Sequence, residues 1–316
     1  MKFWTDFRRS LALIGLTTCI ASAYAGPVML QYFESRWETI EKKMPDVFVS
    51  GYTAFWVPPP GKGDTGGYSV GYDVYDRFNL GSAFDQTLYG TESAVKQFVR
   101  TAHTAGLDVY FDYVVNHNGF RDMSTPGFDA AGGYPGFVLT LPNDIDGDFH
   151  SAFASGLWEM RLAGLIDIAQ EKNHVFIRHP VVPDPLNIPR QTPRPENRRF
   201  YPDRDLTPNS LGIYPFNLTN PMAGDPVPEN ATGLLLRYTQ WMLEVIGADG
   251  FRIDAARHIP PWYFSAFFDN VCYQRGRPNL DGSPRTPYSF SEDFTGDFNE
   301  LRQYIRKDGF GNRDVL

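Results

Sequence analysis

The sequence predicts an α/β chain built on a parallel sheet of the (β/α)-barrel kind, and three observations carry that expectation. Short apolar runs that read as strands recur at 27–33, 53–57, 107–115, 248–253 and 288–290. Helix-like stretches at 92–105, 232–246 and 297–307 alternate with several of them, as βα units require. In the third and fourth runs the polar residues fall at one parity near the C-terminal end, where the loops of a barrel build a site.

The chain opens with a segment that reads as an address. Lys2, Arg8 and Arg9 precede an apolar run from Leu11 to Ala21, and Ala23-Tyr24-Ala25 follows as a small-x-small site, the order of a secretory signal peptide. The run is shorter than the about 20 residues that span a bilayer, which disfavours a membrane anchor. Thr18 before Cys19 fits a lipoprotein site poorly. A secreted or periplasmic protein is expected. Removing residues 1–25 takes away a net +2 and moves the formal charge from −8 to −10, an acidity that speaks against nucleic acid or an anionic membrane as partner. Only Cys272 would then remain, so stability rests on a core and not on an internal disulfide. Aromatic residues make up 15% of the chain, enough rings for a binding cleft as well as a core.

The run at 107–115 leads to Asn116 at the same parity as Asp112, with His117 at the rim. After it the rhythm breaks. Residues 118–230 lack regular runs, and their middle, Arg178 to Asp205, is rich in Pro and Arg. A structureless loop that long is improbable in a compact domain, so a small domain inserted after the third strand is expected. Asp144, Asp146 and Asp148 alternate within it, but Ser155 stands where a helix–loop–helix calcium loop has Glu. Asn217 and Asn230 head glycosylation acceptor patterns. The expected organisation is a leader at 1–25, the first part of a barrel at 26–117, the insertion with its return loop at 118–230, and barrel again at 231–316.

In the fourth run, Arg252 and Asp254 are two apart and share a face, while Phe251 and Ile253 face the helices. A guanidinium beside a carboxylate favours its ionised form, which suits a nucleophile and equally a structural ion pair. In the fifth, Glu292 shares its face with Phe290 and Phe294, apolar surroundings that raise a carboxyl toward a usable general acid. One ionised and one protonated carboxyl are what glycoside hydrolysis requires. The two lie 38 residues apart, close to one βα unit, and so on neighbouring strands.

On these residues the chain resembles the α-amylase family, glycoside hydrolase family 13. Asp112-Tyr113-Val114-Val115-Asn116-His117 is similar to its first signature region and Gly250 to His258 to its second, with Arg257 where Lys is common. Ser69 to Asp76 resembles its early loop, and Ser291-Glu292-Asp293 is a short third match. The resemblance implies a (β/α)8 TIM barrel and a retaining glycoside hydrolase that cleaves starch-like α-glucans by double displacement, with an oligosaccharide as partner. It implies Asp254 as nucleophile and Glu292 as general acid/base, about 5 Å apart, with Tyr72, His117, Arg252 and His258 binding the sugar. It also implies a structural Ca2+ held by Asn116, the His258 carbonyl and an Asp of the insertion. Leu165 to Ala169 offers Asp167 for that place; Pro215-Phe216-Asn217 sits nearer the usual position but lacks the Asp. The same resemblance makes the barrel incomplete, about five strands with a sixth opening at Asp314, and without the family's fourth region and its transition-state-stabilising Asp. A fragment with exposed sheet edges and little or no activity is expected.

Three rival readings use the same residues. A carbohydrate-binding protein on this scaffold has no need of both Asp254 and Glu292. A metal-dependent hydrolase needs a clustered ligand set, and the six His are scattered. A transglycosylase or isomerase of the family would share the hydrolase's residues.

Overall fold

The structure, a computed structural model, describes residues 28–119, 134–137, 147–150, 165–172, 176–178 and 227–304. Its elements run β1 (Met29–Gln31), α1 (Trp37–Val49), β2 (Ala54–Val57), β3 (Lys62–Gly63), β4 (Val74–Asp76), α2 (Glu92–Thr104), β5 (Asp108–Tyr113), β6 (His117–Gly119), β7 (Leu165–Asp167), β8 (Phe176–Arg178) and β9 (Val227–Glu229). Then come α3 (Ala231–Trp241), β10 (Gly250–Ile253), α4 (Asp269–Cys272), β11 (Tyr288–Ser291) and α5 (Phe298–Tyr304). The strands β1, β2, β5, β10 and β11 form one sheet in that order, every neighbouring pair parallel. Each strand lies beside its predecessor, with none of the order reversal of a doubly wound sheet. This is the progression of a (β/α) barrel, five strands of an incomplete one.

Parity divides the sheet into two chemistries. Phe55, Val57, Val109, Phe111, Tyr113, Phe251 and Ile253 point to the helices and join the main apolar cluster; burying each large side chain stabilises the fold by about 1.5–3 kcal/mol. The alternate residues face the other way. In register, Trp56 pairs with Tyr110, and Arg252 lies between Asp112 and Phe290. Gly250 is needed at the start of β10, because a Cβ there would collide with the Tyr288 carbonyl of β11.

The helices cover the apolar face. α1 buries Trp37, Ile40, Met44 and Val47 at helical spacing, and Trp37 stacks on Phe98 of α2 at 5.9 Å. Thr91 caps α2 by accepting the Ala94 N–H at 3.2 Å. α3 is buried along its whole length and continues as a π-helical stretch to Ile246, where Gly247 in a left-handed conformation ends it. Asn230 caps α3, accepting the Gly233 N–H at 2.8 Å, and is buried. Buried and engaged in the cap, Asn230 does not present the exposed side chain that its acceptor pattern would need.

Within 118–230 the described parts make two antiparallel pairs outside the parallel sheet, β6 with β7 and β8 with β9. The leader at 1–25, Asp144, Asp146, Asn217 and the sixth strand expected at Asp314 lie outside the described residues. Among those described, no helix is long and apolar enough to cross a membrane.

Candidate active site

β5, β10 and β11 carry three carboxylates onto one guanidinium. The ladder runs one residue past the strands, with Asp254 N donating to Tyr113 O at 3.0 Å and Glu292 N to Ile253 O at 2.9 Å. Arg252 Nη1 donates to Asp112 Oδ1 at 2.7 Å and to Asp254 Oδ1 at 2.8 Å, and Nη2 pairs with Glu292 Oε2 at 2.6 Å. Trp56 of β2 packs against this group: its ring centre is 5.6 Å from the guanidinium carbon, its Nε1 donates to Asp112 Oδ2 at 3.3 Å, and its edge meets Phe290.

Three acids around one cation reverse the expected electrostatics. Burial, then the Asp112 charge, with Glu292 adding to them, push the Asp254 carboxyl well above the usual carboxylate range although Arg252 pulls it down. The expectation that Arg252 simply keeps Asp254 ionised is corrected: its charge is shared among three acids. Glu292 also departs from its expected apolar setting, since it is ion-paired with Arg252 and Phe294 is exposed. Against burial, the three carboxylates together push the Arg252 guanidinium upward. Such a cluster takes up a proton more readily than isolated carboxylates, and that proton belongs to the group.

Tyr72 lies on the loop between β3 and β4 and donates its hydroxyl to Asp112 Oδ2 at 2.9 Å. Gly71 before it has φ 102, and a Cβ there would stand 2.7 Å from the Pro59 carbonyl. His117 is buried, its Nε2 3.1 Å from the Tyr72 carbonyl. Burial and the Arg77 charge, with a smaller push from His258, lower its pKa to about 3. The ring is therefore neutral and donates Nε2–H to that carbonyl, so that His117 supports Tyr72 from its backbone. His258 lies on the turn Ala256–His258, reached through Ala255 at φ 50. A left-handed alanine costs roughly 1–2 kcal/mol, strain held directly behind Asp254. The sequence reading missed the parts played by Trp56 and Ala255; the only signals were the place of Trp56 in the apolar run 53–57 and that of Ala255 next to Asp254.

The metal candidates converge in part. β6 runs antiparallel to β7, setting His117 opposite Asp167, and Ile168 N donates to the Asn116 carbonyl at 2.8 Å. Asn116 Oδ1 and Asp167 Oδ1 are buried without a hydrogen-bond partner. Two orphaned acceptor oxygens on adjoining segments are the kind of donors a hard cation takes. His150 contacts the other Asp167 oxygen at 2.7 Å and Glu171 at 2.9 Å. Among the described residues no group of three or more His, Cys, Asp or Glu could hold a metal ion, so the fit rests on amide and carboxylate oxygens.

Comparison with known proteins points one way. The chain is 28% identical to an alpha-amylase of Geobacillus stearothermophilus over 308 aligned positions, covering 91% of this chain and 51% of that protein. It is 23% identical to the cytoplasmic alpha-amylase of Escherichia coli, covering 88% and 56%. The chain thus spans about half the length of the curated relatives it matches. Among solved structures, an alpha-amylase of Geobacillus thermoleovorans complexed with acarbose superposes with a TM-score of 0.51 at 17% identity, over 88% of this chain and 49% of that one. Alpha-amylase I of Eisenia fetida gives 0.50 at 16% identity, over 88% and 47%; these likenesses speak to the fold. No protein-family model matches the chain.

Proposed function

The chain is related to the α-amylases of glycoside hydrolase family 13 over most of its length, and from that premise we propose that it is a retaining glycosidase cleaving the α-glucosidic bonds of starch-like α-glucans. The observation that carries the reading is the single Arg252 guanidinium spanning Asp254 and Glu292 at the ends of adjacent strands. Asp254 attacks the anomeric carbon while Glu292 gives a proton to the departing oxygen; the glycosyl-enzyme is then opened by water, whose proton Glu292 takes. The chemistry needs one carboxyl ionised and one protonated, Asp254 to attack and Glu292 to donate. Tyr72, held by Asp112 and His117, offers its ring to the sugar, and His258 borders the site.

A structural Ca2+ belongs to the same proposal. Asn116 and Asp167 would hold it, with the His258 carbonyl as third oxygen. Bound there it would tie the end of β5 to β7 and supply no reacting group. Export through the segment at 1–25, to a secreted or periplasmic place, is proposed on the order of basic, apolar and small residues.

The test combines turnover with trapping. Reducing-sugar release from soluble starch is measured for the 316-residue chain and for a chain extended to the length of its alpha-amylase relatives, each as wild type and Asp254→Asn, and all are treated with a 5-fluoro-α-glucosyl fluoride that traps glycosyl-enzymes. The expected result is little or no release from the 316-residue chain, release from the extended chain that falls by at least about a thousandfold in its variant, and a label on Asp254 of the extended wild type. An extended wild type inert to both substrates overturns the reading.

A further inference from the structure

One carboxylate of the cluster neither attacks nor moves a proton in the chemistry just described. Asp112 stands near the C-terminal end of β5, its side chain fully buried, level with Arg252 across the ladder. It accepts from three donors on three different segments: Trp56 Nε1 at 3.3 Å, the Tyr72 hydroxyl at 2.9 Å and Arg252 Nη1 at 2.7 Å. Tyr72 and Arg252 are the groups that meet the sugar and orient the nucleophile in the proposed function, on which this inference rests. We propose that Asp112 is the positioning residue of the site, a fixed anion that sets the Tyr72 ring and the Arg252 guanidinium in one geometry and controls how readily Asp254 ionises.

The control works through charge and through competition. A like charge disfavours ionisation of its neighbour, and Asp112 is, after burial, the largest influence raising the Asp254 carboxyl. Asp112 also takes one hydrogen of Arg252 Nη1, the nitrogen that serves Asp254. Among the described residues, the charged or titratable groups that act on the pair come from every element packed against it. Arg252 and Glu292 come from β10 and its neighbour β11, Tyr72 from the β3–β4 loop, Tyr89 from the chain before α2 and Tyr238 from α3, while Trp56 of β2 adds a neutral donor. Among these only Arg252 is a cation, so removing the Asp112 charge leaves that guanidinium to Asp254 and Glu292.

The decisive measurement is a carboxyl 13C NMR titration of protein labelled at aspartate, with the Asp254 signal identified by its loss in Asp254→Asn. In Asp112→Asn the Asp254 midpoint is expected to fall by about one pH unit or more. Where turnover is measured, the acid limb of kcat moves down with it and KM rises as Tyr72 loosens. Tyr72→Phe removes one donor and keeps the anion. It should raise KM, move the Asp112 midpoint up and the Asp254 midpoint slightly down, and it serves alone if Asp112→Asn does not fold. An Asp254 midpoint that stays in place or rises in the folded variants overturns the inference. An extended wild type without turnover on starch fails the proposed function and leaves this titration to decide Asp112 separately.

Discussion

The two ends of β10 carry opposite kinds of acid, and Asp249 at the N-terminal end gives the sharper test. Its side chain is fully buried and accepts the Val109 N–H at 2.8 Å, contacts His103 Nε2 at 2.8 Å and accepts Arg277 Nε at 3.1 Å. Replacing it with alanine strands the Val109 N–H, a loss of about 1–3 kcal/mol, and removes the His103 bond, a further 1 kcal/mol or so. Arg277 is nearly one-third exposed and keeps Asp108 at 2.7 Å, so screening by water holds its share below about 1 kcal/mol. The sum for Asp249→Ala is about 2–5 kcal/mol, which overlaps the cost of breaking a buried pair and is a large part of the roughly 5–15 kcal/mol that holds a domain together. Urea unfolding followed by tryptophan fluorescence reads it as a shift in midpoint at constant slope. Asp249→Asn, which keeps an acceptor for Val109, should lose about half as much, and molar salt should change neither result because the pair is buried. A loss below about 1 kcal/mol, or one that disappears in salt, refutes the argument.

Three further outcomes follow from the same electrostatics. Asp254→Asn should be more stable than the wild type at pH 8 and equal to it near pH 4, because a raised carboxyl binds more protons folded than unfolded, so its contribution falls as pH rises; thermal melts across pH 4–8 measure this. Asp76, pushed by burial up to about 7 with Oδ2 unpartnered, should cost roughly 4 kcal/mol by pH 8 relative to pH 4, and Asp76→Asn should flatten that fall in urea titrations. If Asn116 and Asp167 hold Ca2+, saturating calcium at about 100 times its Kd adds about 2.7 kcal/mol; the melting temperature should rise in the wild type, and in neither Asn116→Ala nor Asp167→Ala, and an unmoved wild type removes the metal from the proposal.

Strand parity made much of this legible before any coordinates. Phe251 and Ile253 against Arg252 and Asp254 announce a strand with one face in a core and one in a site, and the structure divides them that way. Helix α1 escaped notice because Pro45 interrupts its run; four buried side chains on one face outweigh the hydrogen bond that proline removes. The charge state of the site was not legible at all. Asp112 and Arg252 are 140 residues apart in sequence, and Trp56 and Asp112 are 56 apart, so nothing local says that one guanidinium serves three acids. The neutral His117 is likewise set by burial and then by Arg77, whose guanidinium donates to the His117 carbonyl at 2.6 Å.

The ratio of cations to anions separates structural from reactive charge in this fold. At the N-terminal ends of β5 and β10, two arginines, Arg277 and Arg285, serve two acids, Asp108 and Asp249. Against burial, they hold the Asp108 carboxyl below its usual value, so that pair favours the folded chain at neutral pH. At the C-terminal ends, one arginine serves three acids, and Asp254 is driven the other way. Folding alone would favour the first arrangement at both ends. A sheet that satisfies its acids at one end and leaves them in competition at the other spends stability where βα loops gather, the end at which barrels do chemistry. Asp254→Asn and Asp249→Ala should therefore move stability in opposite directions, though each removes a single buried carboxylate flanking the same strand.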